Sequence, residues 1–204
     1  MSDTIDRKTF ETIYKELPAW DIDGPQEAFR ALGKLEGSLL DSGCGTGENA
    51  LWFASQGARV TGIDFLPGPI ASAEAKATAR KLPAAFLTRD ALTLGDWAAR
   101  FDNAIDSGLF HVFGDADRAR YVAGLHTVIK PGGRLYILCF SDKTPGTEGP
   151  RRITRADLEA AFAHGWQLEA AEPTRFAVRP EALGGRFSGE APHAWSVRVL
   201  RSPL

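Results

Sequence analysis

The sequence of 204 residues has little cysteine, no excess of positive charge and no long apolar run. Its two cysteines, Cys44 and Cys139, and its four scattered histidines lack the spacing of a metal site. A net charge of −2 provides no basic stripe for nucleic-acid phosphates. No stretch approaches the roughly 20 apolar residues of a membrane helix, and the first residues do not resemble a signal peptide. We therefore expect a cytoplasmic protein without a metal, membrane or nucleic-acid partner.

The composition that remains is typical of one globular domain. Hydrophobic residues make up 44% of the chain and charged residues 25%, which are ordinary proportions for a folded protein. Short β-branched runs alternate with longer helical stretches, and this alternation predicts an α/β fold with a parallel sheet. We predict a single domain over residues 1–204, with a core at 37–204 and an N-terminal helical segment at 1–36.

The apolar pattern also predicts the individual elements. Strands are predicted at residues 37–41, 58–64, 85–89, 101–106, 134–140, 166–175 and 194–201. Helical stretches are predicted at residues 6–16, 25–34, 48–56, 71–81, 94–100, 115–129 and 154–164. The glycine-rich connection at residues 180–192 is long enough to act as a flap.

A glycine-rich turn follows the first predicted strand. Gly43, Gly45 and Gly47 allow the backbone to turn sharply into a helix while it lies against a ligand. A dinucleotide site favours another glycine at the position of Glu48, whose carboxylate would repel a diphosphate. Together with Asp41 before the turn, Glu48 indicates a ligand that carries a positive charge at one end.

Acidic residues also follow the next three predicted strands. Asp64 lies 64 − 43 = 21 residues beyond Gly43, and an acid about 20 residues on is placed to bind ribose hydroxyls. Its alternative role is that of a helix N-cap or turn residue. Asp90 could accept the amino group of an adenine while the Ala91 N–H donates to the ring, and Asp106 ends the fourth strand. Open α/β sheets bind ligands at this edge, so the acids predict one shared site.

With these residues in place, the sequence resembles the class I methyltransferases that use S-adenosylmethionine (SAM). Residues 40–47 look like their motif I, residues 62–64 resemble their ribose-binding motif, and residues 129–133 resemble the turn before their fifth strand. The resemblance implies a Rossmann-like, doubly wound sheet of seven strands with an antiparallel last strand. It also implies SAM as cofactor and S-adenosylhomocysteine (SAH) as product, with this binding set: Trp20, Gln26, Asp41, Gly43, Gly45, Gly47, Asp64, Phe65, Asp90, Ala91 and Asp106.

A narrower resemblance lies in the N-terminal segment. Residues 17–26 are similar to a Pro-Trp-Asp-x-Gly-x-Pro-Gln pattern of bacterial small-molecule methyltransferases of the benzoquinone or heterocyclic-toxin type. Residues 106–111 resemble the same group's motif after strand four. In related thiopurine and thiol methyltransferases an N-terminal tryptophan closes over the cofactor, and that role would fall to Trp20, with Gln26 nearby. Ala19 replaces a proline of the pattern, and the alternative for Trp20 is packing between the N-terminal helices.

The chemistry of methyl transfer suggests two catalytic candidates. The displacement needs alignment, exclusion of water and, for a weak nucleophile, removal of a proton. His111 fits a general base or an orienting hydrogen-bond donor, although it could instead bind a loop backbone, and Tyr14 could reach the same pocket. Aromatic residues could line a pocket for a flat acceptor, with Phe110 best placed among the candidates Phe10, Phe110, Phe113, Phe140, Phe187 and Trp195.

The expected function is methyl transfer to oxygen or nitrogen of a small aromatic, heterocyclic or quinone-like acceptor by a monomer or homodimer. A thiol or metalloid methyltransferase, which needs no strong base, is the first alternative. A SAM-binding sensor or scaffold without catalysis is the second. Methyltransferases that act on nucleic-acid bases usually have Asn/Asp-Pro-Pro-Tyr/Phe after strand four, whereas residues 106–110 read Asp-Ser-Gly-Leu-Phe here.

Overall fold

The chain forms one sheet of seven strands. The computed structural model describes residues 4–146, 149–186 and 189–203. The strands are β1 (Ser38–Ser42), β2 (Arg59–Asp64), β3 (Ala84–Thr88), β4 (Phe101–Ser107), β5 (Ile129–Phe140), β6 (Trp166–Arg175) and β7 (His193–Arg201). Their order across the sheet is β3-β2-β1-β4-β5-β7-β6. The first five strands pair in parallel, whereas β7 is antiparallel to both β5 and β6. This topology confirms the predicted Rossmann-like α/β class.

The helices connect the strands and follow the predicted order. They are α1 (Arg7–Ile13), α2 (Glu27–Arg30), α3 (Glu48–Ser55), α4 (Pro67–Arg80), α5 (Asp115–Val128), α6 (Arg155–Ala161) and α7 (Pro180–Arg186). Two short 3₁₀ turns occur at Ala91–Asp96 and Phe110–Val112. No helix in these described parts has the length and apolar character needed to cross a membrane.

Several predicted boundaries were wrong, and local chemistry explains the differences. The helix predicted at 25–34 is only α2, because the chain turns at Gly33 with a φ of +67°. The helix predicted to begin at 71 begins at Pro67, a residue whose fixed φ suits the first turn. The piece predicted at 94–100 is the earlier 3₁₀ turn, because Asp90 caps it by accepting from the Leu92 N–H at 2.9 Å. The expected flap at 180–192 contains α7, while its residues 187–188 lie outside the described residues.

Two hydrophobic clusters cover the two faces of the sheet. Adjacent strand residues point to opposite faces, so Leu39 and Leu40 of β1 belong to different clusters. One cluster joins the sheet to α5 and α6, and the other joins it to α2, α3 and α4. With both faces covered, the carboxyl ends of β1, β2 and β4 are held side by side at one accessible edge.

Candidate active site

The turn after β1 has a backbone that only glycine adopts easily. Gly43, Gly45 and Gly47 have φ values of +74°, +52° and +87°, in the left-handed region that disfavours side chains. A Cβ on Gly47 would also lie 2.8 Å from the Cβ of Ala73. The N–H groups of Gly43 and Cys44 both donate to the Ile63 carbonyl, at 2.9 and 2.8 Å. The end of β2 therefore fixes the backbone of the turn.

A narrow cleft lies between this turn and the N-terminal segment. Two residues of α3, Glu48 and Asn49, line it, as does Ser107 from the end of β4. The remaining lining consists of the turn and the segment opposite it: Tyr14, Trp20, Asp21, Ile22, Gly24, Gln26, Gly43, Cys44, Gly45, Thr46 and Gly47. The sequence-predicted turn and the Trp20 segment therefore meet. Asp21, Thr46, Asn49 and Ser107 were missed, because no spacing rule connects them.

Asp64 lies beside the turn with both carboxylate oxygens already hydrogen-bonded. Oδ2 accepts from the Gly45 N–H at 3.1 Å and Oδ1 accepts from the Leu66 N–H at 2.9 Å. Burial raises the pKa of Asp64, while these backbone donors oppose the rise. The carboxylate thus joins the carboxyl end of β2 to the glycine turn.

Asp41 is a buried carboxylate beneath the turn. It is 0% exposed, and neither oxygen has a hydrogen-bond partner within the described chain. Burial, then the nearby Asp106 carboxylate, raises its pKa to about 8; the Ala50 amide lowers the pKa without meeting hydrogen-bond geometry. Asp41 does not line the cleft, and with a pKa of about 8 it is largely protonated at neutral pH, so the predicted contact with the cofactor is not supported.

The Asp106 hypothesis is corrected by the structure. Its Oδ1 accepts from the N–H groups of Leu109 and Phe110, at 2.8 and 3.2 Å, and its Oδ2 accepts from the Tyr121 hydroxyl at 2.8 Å. The residue is 0% exposed and does not line the cleft. Asp106 instead anchors the chain as it leaves β4, and burial raises its pKa to about 6.

Glu48 also has a different partner from the one that the sequence suggested. Its carboxylate pairs with Lys76 at 2.9 Å and with Arg80 through two bonds of 2.8 and 2.9 Å. Burial acts to raise its pKa, but these two cations lower it overall. The charge of Glu48 is therefore balanced by α4 and does not select a cationic ligand on its own.

The adenine and ribose candidates lie farther along the same edge. Asp90 is largely exposed and caps the 3₁₀ turn, while Ala91 is buried. Phe65 follows β2 and stacks edge-on against Phe10 at a centroid distance of 5.7 Å, with the Arg7 guanidinium 5.4 Å from its ring. The helix α1 therefore lies over the end of β2.

Trp20 and Tyr14 form an aromatic lid over the glycine turn. Their rings are perpendicular, at 6.1 Å between centroids, and the Trp20 Nε1–H donates to the Tyr14 hydroxyl at 3.4 Å. That hydroxyl would lie 2.8 Å from a Cβ on Gly45. Burial raises the pKa of Tyr14, so the phenol stays protonated and is a poor base. Trp20 also packs edge-on against Phe10, which agrees with its alternative packing role.

Gln26 lines the cleft, but its side chain does not face a ligand. Its Nε2 donates to the Ala177 carbonyl at 2.9 Å, and its Oε1 accepts from the Ala177 N–H at 2.8 Å. Its own N–H donates to Asn49 Oδ1 at 2.9 Å. The predicted contact of this amide with the cofactor is therefore replaced by a contact with the segment that follows β6.

His111 is buried beside the end of β4. Its Nδ1 accepts from the Phe140 N–H at 2.8 Å, which leaves the proton of the neutral ring on Nε2. Burial, then the positive charge of Arg152, lowers its pKa to about 3. Nε2 lies 3.3 Å from the position of a Cβ on Gly108. This geometry favours the orienting donor over the general base among the roles that the sequence left open.

Of the aromatic rings around His111, Phe140 was among the sequence candidates and Phe176 was not. Phe140 and Phe176 pack on its ring at centroid distances of 4.7 and 6.2 Å. Phe110, the best candidate by position, is 0% exposed and stacks on Phe162 in the core, so that prediction was wrong. Of the other candidates, Phe113 is also core, Trp195 bonds a loop carbonyl, and Phe187 lies outside the described residues.

Comparison with known proteins shows which family has this arrangement. The model of a methyltransferase domain family matches residues 39–133. Over 164 residues the chain is 30% identical to the 2-heptyl-1-hydroxyquinolin-4(1H)-one methyltransferase of Mycobacteroides abscessus, covering 78% of this chain and 72% of that one. This chain belongs to the class I SAM-dependent methyltransferases. The family, the fold and the cofactor expected from the sequence are thereby confirmed.

Solved structures agree with this membership. A structure from work on the conversion of a disulfide bond into a thioacetal group during echinomycin biosynthesis is 35% identical, with a TM-score of 0.82, covering 96% of this chain and 92% of that one. The Burkholderia thailandensis 1,6-didemethyltoxoflavin-N1-methyltransferase, solved with its substrate and SAH, has a TM-score of 0.69 at 23% identity. It covers 96% of this chain and 83% of that one; at that identity it shows the shared fold alone.

The cleft of this methyltransferase has the chemistry that SAM requires. The glycines of the turn present backbone rather than side chains to the cleft, and the Tyr14 hydroxyl lies above Gly45, 2.8 Å from the position of a Cβ there. The side chain of Asp21 lines the cleft and supplies an acidic group for a ligand with cationic groups. These features fit the ammonium and sulfonium of SAM.

Proposed function

We propose that this methyltransferase transfers the methyl group of SAM to oxygen or nitrogen of a small aromatic, heterocyclic or quinone-like acceptor. The observation that carries the proposal is the setting of His111, which is buried beside the flat rings of Phe140 and Phe176 and carries its proton on Nε2. A flat acceptor with a polar atom at its edge suits such a site. The hydroxyquinolinone relative, which covers most of this chain, supports the same class.

The cofactor would be held along the edge formed by β1, β2 and β3. We assign its amino-acid end to the glycine turn under Trp20, its ribose to Asp64, and its adenine to Phe65, Asp90 and Ala91. SAM would supply an electrophilic methyl group, which the acceptor would attack in line with the sulfur, so that the C–S bond breaks and SAH leaves. The turn and the aromatic lid exclude water and set the direction from which the acceptor approaches.

The protonation states of His111 and Tyr14 favour an acceptor whose own hydroxyl group ionises readily. His111 has a pKa of about 3 and carries its proton on Nε2, so it can orient an acceptor oxygen by donating to it. Tyr14 is protonated throughout the physiological range because burial raises its pKa. An acidic hydroxyl, such as that of a phenol or an N-hydroxy heterocycle, does not need a strong base in the site.

A sulfur acceptor is the second candidate. A thiolate is nucleophilic near neutral pH and needs no general base, which agrees with the neutral state of His111. The relative from the thioacetal study is 35% identical across nearly the whole chain. A protein that binds SAM without transferring its methyl group is a third possibility. A panel of acceptors distinguishes it from both methyltransferase candidates.

The test is a panel of possible acceptors incubated with methyl-labelled SAM and read by mass spectrometry. The panel contains 1-hydroxyquinolin-4-ones, phenols, quinols, N-heterocycles and aromatic thiols. We expect labelled products on oxygen or nitrogen. Products on thiols alone would favour the sulfur alternative, and SAH binding without any product would favour a sensor. Failure to bind either SAM or SAH at millimolar concentration would remove the proposed function.

A further inference from the structure

The N-terminal lid is joined to the segment that carries Phe176 by a pair of complementary hydrogen bonds. We call residues 17–26 the cap segment and residues 176–180 the acceptor-side segment. The Gln26 amide binds both backbone groups of Ala177, at 2.8 and 2.9 Å, as a neighbouring strand would. Gln26 is only 3% exposed. Movement of either segment alone would leave buried polar groups without partners, which is unfavourable.

A second connection lies on the same two segments. The Arg179 N–H donates to the Ala19 carbonyl at 2.8 Å, and its Nη1 donates to the Leu17 carbonyl at 3.1 Å. The residues joined are more than 150 positions apart in sequence (179 − 19 = 160). The cap segment and the acceptor-side segment are therefore connected at both ends by contacts that do not involve the sheet.

Each segment reaches a different part of the reaction site. On the cofactor side, the Gln26 N–H donates to Asn49 of α3 at 2.9 Å, and Asp21 accepts from the Thr46 hydroxyl of the glycine turn at 2.5 Å. On the other side, Phe176 packs against His111 and Phe140. A continuous path of contacts thus runs from the glycine turn to the rings around His111.

We propose that Gln26 is a positioning residue that couples cofactor binding to the ordering of the acceptor-side segment. SAM or SAH in the cleft would hold the cap segment in place, and Gln26 would transmit this restraint to Ala177 and so to Phe176. Acceptor binding would then be tighter after the cofactor has bound, as positive coupling between two sites requires. The acceptor side of this inference rests on the proposed function, whereas the cofactor side rests on family membership.

Hydrogen–deuterium exchange with SAH tests the coupling without an identified acceptor. In the wild-type protein, we expect SAH to slow exchange about tenfold both in peptides covering the glycine turn (43–49) and in peptides covering 178–186. In Gln26→Met, which keeps the length of the side chain but removes both bonds to Ala177, SAH should protect only the glycine turn. Gln26→Glu, which keeps the acceptor oxygen, should show an intermediate effect.

Two further variants control for folding and for the substitution itself. Gln56→Met makes the same change at an exposed residue of the α3 terminus, which bonds Ser55, and should behave as wild type. Arg179→Met removes the side-chain bond to Leu17 while leaving the Ala19 bond. It should reduce the SAH protection of 178–186 about threefold, and this result can be obtained even if Gln26→Met does not fold. Thermal unfolding of Gln56→Met and Arg179→Met should be the same as that of the wild type.

The possible outcomes separate this inference from the proposed function. Undiminished SAH protection of 178–186 in folded Gln26→Met and in Arg179→Met would overturn the coupling, as would wild-type protection limited to residues 43–49. Protection of both regions in the wild type, with loss in Gln26→Met and no product from any acceptor, would support coupling and reject the proposed function. With 1-hydroxyquinolin-4-one as a turned-over probe, Gln26→Met should raise its KM about tenfold while the Kd of SAH changes less than threefold.

Discussion

The half of the site that we assign to the cofactor and the half that we assign to the acceptor are built by different physical means. The cofactor half, formed by β1 to β3 and the turns after them, depends on backbone geometry fixed by neighbouring strands, as in the Gly43 and Cys44 bonds to Ile63. The acceptor half, formed by β4 to β7, depends on side chains brought together from distant positions, such as His111 with Phe140 and Gln26 with Ala177. A local rule in the sequence can therefore identify the first half but not the second.

The largest effect is expected from a side chain placed within the turn of the cofactor half. Gly47→Ala adds a Cβ at a φ of +87°, 2.8 Å from Ala73, and should lower the free energy of unfolding by roughly 2–5 kcal/mol and abolish SAH binding. Gly57→Ala is the matched control, since its φ is +93° but the space around it is open. It should cost about 1–2 kcal/mol. Denaturation and calorimetric titration give both numbers, and equal losses for the two variants would contradict the steric argument.

The acceptor half should respond in turnover rather than in cofactor affinity. His111→Asn keeps an oxygen for the Phe140 N–H but removes the Nε2 donor, and kcat on a hydroxyl acceptor should fall on the order of 100-fold. His111→Gln places an amide near the Nε2 position and should recover part of the rate. Because the pKa of His111 is about 3, the wild-type pH–rate profile between pH 5 and 8 should report acceptor ionisation. A limb near pH 6–7 that disappears in His111→Asn would instead identify a general base.

The buried acidic residues Asp41 and Asp106 allow the two halves of the site to be compared through the free energy of unfolding. Burial raises the pKa of Asp41 to about 8, so between about pH 4 and 8 the folded state holds a proton that the unfolded state has lost. Stability therefore falls as the pH rises through this window, and Asp41→Asn should remove that loss. The variant should exceed wild type by roughly 1–3 kcal/mol at pH 8 and by little at pH 4.

Asp106→Asn is the counterpart of that substitution in the acceptor half. Asp106 accepts from Leu109, Phe110 and Tyr121, and an amide would turn an NH₂ group toward one of these donors. The free energy of unfolding should therefore fall by about 1–3 kcal/mol near neutral pH. Urea denaturation at several pH values measures both variants. A stabilised Asp106→Asn, or an Asp41→Asn whose advantage shrinks with rising pH, would contradict these assignments.

The smallest effect is expected from removal of the Asp64 carboxylate, which should weaken the binding of the cofactor. Asp64→Ala removes the carboxylate that accepts from Gly45 and Leu66 and that we assign to the ribose, so the Kd of SAM should rise more than tenfold, about 1.4 kcal/mol. Asp96→Ala, which changes an exposed acid at the end of the 3₁₀ turn Ala91–Asp96, is the control and should leave the Kd unchanged. Calorimetry measures both, and an unchanged affinity in Asp64→Ala would remove that residue from the site.

The sequence predicted the fold and the glycine turn well because their determinants are local. The glycine spacing, the acid at the end of β2 and the alternation of strands with helices follow from short-range steric and packing rules. The capping box of α6 is equally local, since Thr154 and Asp157 lie three residues apart and form both of its reciprocal bonds. Boundaries such as that of α2 were missed, because a single turn at Gly33 overrides a favourable helical composition.

Side-chain partners could not be predicted in the same way. Glu48 pairs with Lys76 and Arg80, and Gln26 with Ala177, although each looked suited to bind the cofactor. Nothing in the spacing of these residues distinguishes a ligand contact from a contact within the protein. For Phe176, the signal that was overlooked is an apolar residue directly after β6, where the antiparallel last strand pair returns the chain to the site.

By itself, the sequence determined the family, the fold and the cofactor, because steric limits at glycines and the order of strands leave few alternatives. Only the tertiary structure decided the protonation and the hydrogen-bond partners of each polar side chain. Burial made His111 a neutral donor, gave Asp106 three internal partners and left Asp41 without any in the described chain. Such states depend on which distant groups share a buried space, and that space exists only once the sheet and both of its covering layers have formed.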